Sequence, residues 1–283
     1  MIRYSFRRLC QSSQHNAAHK RWKEICEHMN TLREDKMYSP MVVFAKIGLQ
    51  RMGDFDANDC PPFYETALKN EMAQAYVKLG KVEEALTVSN EILATHTNTN
   101  RIEYCKARQN HGFLLLQTGQ HADAVEAERI FQSILSSNET MIKDFPLEYI
   151  DYQKLVPVAK IGLGVSLALQ GTRQEHTEHT GKLPPRIEIV ERSLVEKALD
   201  LFYRTLPKLY DNEETFSVGL CLVYAALIHE AGGSIEKATT SLQKLKSWMS
   251  DHQQLQEDLK MNPKDVDEWI ARVEARKGEP SKV

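Results

Sequence analysis

Small residues recur at fixed spacing, and this recurrence limits what the chain can build. Ala73, Gly80 and Ala85 are separated by seven and five residues. Gly112, Gly119 and Ala124 repeat the same two intervals. Around the first set, Met72, Ala73, Tyr76, Val77 and Leu79 fall at helical spacing. Gly80 then ends that helix, because glycine turns the chain there without a Cβ penalty. Ala85 is small enough for a second helix to approach the first near Ala73. Residues 66–98 therefore read as two amphipathic helices joined at Leu79-Gly80-Lys81. One such pair cannot bury its own apolar face, so further pairs must follow.

Further copies are visible. In the second, Leu114, Leu115 and Leu116 fill one helix, while Val125, Ile130, Phe131, Ile134 and Leu135 fill its partner. Gly164 and Gly171 again lie seven apart, with Leu163 and Leu167 beside them. Residues 172–186 then interrupt this third copy with an insertion rich in Thr, His, Glu and Pro. The second helix is expected to resume over residues 187–206, with Ala198 and Phe202 at the small and large positions. A fourth copy places Leu222, Ala225, Ala226 and Ile228 before Gly233, and Ala238 five residues after it. Leu242, Leu245 and Trp248 continue that copy.

The pattern resembles the tetratricopeptide repeat (TPR), a helix–turn–helix unit of about 34 residues. The resemblance covers residues 63–249, with Lys69 and Arg108 standing where the family usually has a large aromatic. It implies an all-α, TPR-like helical-hairpin solenoid. Residues 24–62 supply N-terminal helices and a linker. Ser39-Pro40 is expected to open the helix over residues 41–52, and residues 53–62 to form the linker. Residues 250–283 supply a C-terminal capping helix and tail. That helix begins at Asn262-Pro263 and carries Val266, Trp269, Ile270 and Val273 on one face. The resemblance also implies a surface lined by the first helices. Lys69, Gln74, Lys78, Arg108, Asn110 and Gln117 are the candidate partner-binding residues. Lys69, Lys78, Arg108 and Asn110 could supply a grip for a peptide carboxylate.

Residues 1–23 differ from the rest. Arg3, Arg7, Arg8, Lys20, Arg21 and Lys23 occur there with no Asp or Glu, interleaved with Ile2, Tyr4, Phe6 and Leu9. An arginine-rich, acid-free amphipathic start is similar to a mitochondrial targeting segment, so a mitochondrial matrix location is expected. The remainder holds 36 − 6 = 30 basic residues against 39 acidic ones, a net of −9. Such a body disfavours broad phosphate binding.

Chemistry is sparse. Five scattered cysteines without a C-x-x-C pair argue for reduced thiols rather than disulfides or a zinc site. The segment Glu175-His176-Thr177-Glu178-His179 matches no zinc motif and reads as a solvated loop. Thr180-Gly181-Lys182 lacks the first glycine of a phosphate loop. Gly162 and Gly164 read as close helix packing, and His111 as a buried, hydrogen-bonded core histidine. The acids Asp211, Glu213 and Glu214 read as a helix start. The longest apolar run is shorter than the roughly 20 residues needed to span a bilayer. No catalytic, cofactor or metal residues are assigned, and no small-molecule substrate or cofactor is expected. The expected role is a non-catalytic scaffold, a helical-repeat subunit or assembly factor of a mitochondrial multiprotein complex whose partners are other protein subunits. The alternative is an RNA-associated component of a mitochondrial ribosome or RNA-processing complex.

Overall fold

A computed structural model describes residues 17–52, 62–95, 101–174 and 183–277. The chain divides into two compact units, Met1–Gln117 and Thr118–Val283. The arginine-rich segment lies outside the described residues up to Asn16, as does the His-containing part of the insertion, residues 175–182.

The first unit contains α1 (Ala17–Glu34), α2 (Tyr38–Met52), α3 (Pro62–Lys78), α4 (Val82–Thr95) and α5 (Arg101–Gln117). Each helix packs on the next in chain order. Met29, Met41, Ala45, Leu68, Ala85 and Ile92 anchor the shared core. Ala85 is fully buried, as expected for a small residue where two helices meet.

The second unit runs through α6 (His121–Ser136), α7 (Asn138–Asp144), α8 (Tyr149–Gly171), β1 (Thr172–Gln174), β2 (Ile187–Ile189), α9 (Arg192–Asp211), α10 (Thr215–Ala231), α11 (Ile235–Asp251), α12 (Gln253–Leu259) and α13 (Pro263–Glu274). The hairpins α8–α9 and α10–α11 stack, because α10 packs on both α8 and α9 as well as on its partner α11. The terminal helix α13 lies on α11 with Val266, Trp269 and Val273 fully buried. Its start is fixed by a capping box. The Asn262 side chain accepts the backbone N–H of Lys264 and Asp265, and the Asp265 carboxylate accepts that of Asn262. The fold is thus all-α in architecture, a TPR-like array of helical hairpins closed by a C-terminal helix. Ala226 and Gly233 also lie seven apart, so the interval of the earlier copies extends to α10.

Close packing at α8 follows from its glycines. A Cβ on Gly162 would overlap the Phe131 ring of α6, and one on Gly164 would overlap the Phe202 ring of α9. Gly171 behaves differently from the expected turn glycine. It sits at the end of α8 with no positive φ, and a Cβ there would lie 2.9 Å from the Glu191 carbonyl oxygen. It is small because the returning chain crosses it. Both Val190 and Glu191 donate their N–H to its carbonyl.

Three other expectations are corrected. The helix α2 starts at Tyr38, so Ser39 and Pro40 lie within its first turn rather than ahead of it. Proline is tolerated there because the first-turn N–H groups have no helical acceptor. Residues 187–189 form a strand paired antiparallel with residues 172–174, and α9 begins only at Arg192. Pro184-Pro185 keeps the chain extended, and the Ile187-Glu188-Ile189 alternation suits a half-covered strand. Asp211, Asn212 and Glu213 end α9 instead of starting a helix, and only Glu214, the N-cap of α10, stands at a helix start as expected. The Glu214 N–H donates to the Leu209 carbonyl, and Glu213 takes a φ of 54°.

That last turn belongs to a recurring type. Gly80, Gly119 and Gly233 have φ of 74°, 70° and 71°, whereas Lys36, Glu213 and Lys260 hold 57°, 54° and 53°. At Gly80 the Lys81 N–H donates to the Tyr76 carbonyl and the Gly80 N–H to the Val77 carbonyl. The same pairing closes α1 at Lys36, α9 at Glu213, α10 at Gly233 and α12 at Lys260. A side chain in this conformation costs about 1 kcal/mol relative to glycine. Lys260→Gly is therefore expected to raise the urea midpoint. Gly80→Ala, where a Cβ meets nothing within 4 Å, should lower the midpoint, with a loss of stability of about 1 kcal/mol through backbone strain alone. Equal midpoints for both variants and the wild type would contradict this account.

Candidate interaction surface

The six candidate residues divide between two helices of the first unit. Lys69, Gln74 and Lys78 lie on α3; Arg108, Asn110 and Gln117 lie on α5. Lys69 is drawn toward α4. Its Nζ stands 2.8 Å from Glu65 Oε1 and 2.9 Å from Glu91 Oε2. Burial alone would lower the affinity of this amine for its proton, but the two carboxylates outweigh burial and hold it above the usual lysine value. Lys69 therefore ties α3 to α4. The Arg108 guanidinium lies 5.5 Å from the Tyr104 ring centroid. Gln74, Lys78 and Asn110 are half-buried, and Gln117 is exposed at the end of α5. His111 is buried as expected, with Nδ1 3.1 Å from Ser89 Oγ of α4.

Sequence reasoning missed three features of the second unit. The first is an exposed apolar group where α7 passes into α8. Ile142, Leu147 and Ile150 are 48%, 95% and 66% exposed within nine residues of chain. The signal was available as Phe145-Pro146-Leu147, an apolar run next to a proline, but apolar residues in a repeat are read first as core.

The second is a pair between α9 and α10. The Tyr203 hydroxyl meets His229 Nε2, with the rings stacked 6.1 Å apart. His229 is buried, and burial, with the Lys237 ammonium nearby, pushes its pKa down to about 4 from the usual 6.5. The neutral ring then accepts from the tyrosine hydroxyl. Because the folded value is depressed, His229 contributes stability above pH 6.5 that is lost as pH falls through about 4. His229→Asn should flatten the stability–pH curve in that window, measured by urea denaturation. A variant as steep as the wild type between those values would refute the assignment.

The third is a buried carboxylate. Glu230 Oε2 accepts from Trp269 Nε1 at 2.8 Å and from an Arg272 guanidinium nitrogen at 2.7 Å. The partners lie 39 and 42 residues away in the chain, beyond any local spacing rule.

Among the described residues, no group of three or more His, Cys, Asp or Glu is placed to hold a metal ion. Cys105 and Cys221 are buried, and burial raises the Cys221 pKa, which keeps it a thiol. No described helix is long and apolar enough to cross a membrane.

No family model matches the chain. Nor does any curated protein. Two solved structures from Podosopora anserina, described as a kinesin light chain with nearly identical TPR-like repeats, are similar to it. A variant of that protein shows 12% identity over 95% of this chain and 100% of its own, with a TM-score of 0.46. The second shows 13% identity over 92% and 98%, with a TM-score of 0.44.

Proposed function

We propose that this chain is a non-catalytic scaffold that holds other proteins, a helical-repeat subunit or assembly factor of a mitochondrial multiprotein complex. The observation that carries the reading is the apolar group at Ile142, Leu147 and Ile150. Single exposed apolar residues are ordinary, but three within nine positions of the chain favour a protein neighbour. Stacked hairpins suit the role, since they present side chains over an extended surface without closing a pocket. The matrix location rests on the six basic and no acidic residues of positions 1–23.

The test is affinity purification from mitochondria with the wild type and a Leu147→Ser, Ile150→Ser variant. The wild type should return a defined set of proteins, and the variant should lose part of it. Stable recovery of no protein by the wild type would overturn the proposal. Direct RNA contact would instead show as filter binding that weakens steeply with salt. The net charge of −9 beyond position 23 runs against that outcome.

A further inference from the structure

The inserted segment and the C-terminal helix meet at one guanidinium. Arg272 of α13 sends one nitrogen to Glu230 Oε2 at 2.7 Å and the other to the Pro184 carbonyl oxygen at 2.8 Å. Its side chain is 17% exposed and that of Glu230 only 3%. Arg276 adds a bond to the Glu230 backbone carbonyl at 3.3 Å. Glu230 Oε1 and Arg272 Nε are buried without a partner, so the arrangement already carries unmet polar groups and each further bond lost adds to that cost.

The segment needs such a tie because of its composition. Pro184 and Pro185 have no N–H, so between Leu183 and Arg186 the backbone can be held chiefly through its carbonyls. Beyond them, three-residue strands give the segment little cohesion of its own. Packing of β2 on α10 helps, with the Ile189 Cδ1 3.7 Å from where a Cβ on Gly232 would stand.

We infer that Arg272 is a positioning residue that makes the order of residues 183–189 conditional on docking of the C-terminal helix. The planar fork serves both acceptors at once, which the single ammonium of lysine does not reproduce. A partner that displaced α13 would thereby loosen residues 183–189 as well. The coupling holds whatever the chain binds.

Hydrogen exchange on the full chain tests this with two variants. Arg272→Lys retains a cation for Glu230 but gives up Pro184. It should speed exchange at residues 186–189 by about ten-fold or more while amides within α13 stay protected. Arg272→Met removes both ties and should loosen the segment and α13 together. Unchanged exchange at 186–189 in both variants would overturn the inference. So would Arg272→Lys loosening α13 and the segment equally, because the arginine would then serve helix docking alone.

Discussion

Trp269→Ala should destabilise the second unit by about 4 kcal/mol, the largest loss expected from any single change in α13. The indole is fully buried, and the Arg272 guanidinium lies 5.5 Å from its ring centroid. Truncation removes that apolar area and opens a void beneath a helix of only 12 residues. It also takes a donor from Glu230, which is left with Arg272 alone on its bonded oxygen. Trp269→Phe reduces the packing loss, since it keeps a six-membered ring and gives up the N–H with the rest of the indole. It should cost about 1 to 2 kcal/mol. Denaturant unfolding read by circular dichroism gives both values. An alanine variant within 1 kcal/mol of wild type would mean that α13 does not close this unit.

The second large effect is expected at Gly162. On helix propensity alone, alanine should stabilise the middle of α8 by about 1 kcal/mol. The Phe131 ring decides the outcome the other way. It is fully buried against Gly162, and a methyl group there would overlap it. Overpacking of this kind costs about 3 kcal/mol, so a net loss of about 2 kcal/mol is expected for Gly162→Ala. The cost should shrink when Phe131→Leu is added, with a coupling above about 1 kcal/mol in the double-mutant cycle. A stabilised Gly162→Ala protein would show that the α6–α8 contact has room for a methyl group.

The sequence made the hairpins readable wherever a small residue had a packing duty at regular spacing. Gly80 and Gly119 were legible as turns because a left-handed backbone selects glycine. Gly162 and Gly164 were legible as contact points, though the rings facing them were not. Gly171 matched the spacing and misled, since the same lack of a side chain can serve a turn or a crossing. Glu213 and Lys260 are not legible as helix ends because their side chains carry no turn signal, whereas the end of α1 at Glu34 is where the sequence puts it. The strand at residues 187–189 was read as helix, since three residues are too few for alternation to compete with the neighbouring helical pattern. The partner-binding candidates came from polarity alone. Polarity does not tell a side chain facing solvent from one, like Lys69, already held by two carboxylates.

The crossing at Gly171 has a use beyond packing. One carbonyl receives the N–H of both Val190 and Glu191, so the chain leaves α8 and re-enters α9 at nearly the same place. The distance between the end of α8 and the start of α9 therefore does not set the length of the connection from β1 to β2. Doubling such a connection adds only about 0.6 kcal/mol of closure entropy. A reporter peptide or epitope grafted between the two strands should leave the α8–α9 pairing as it is.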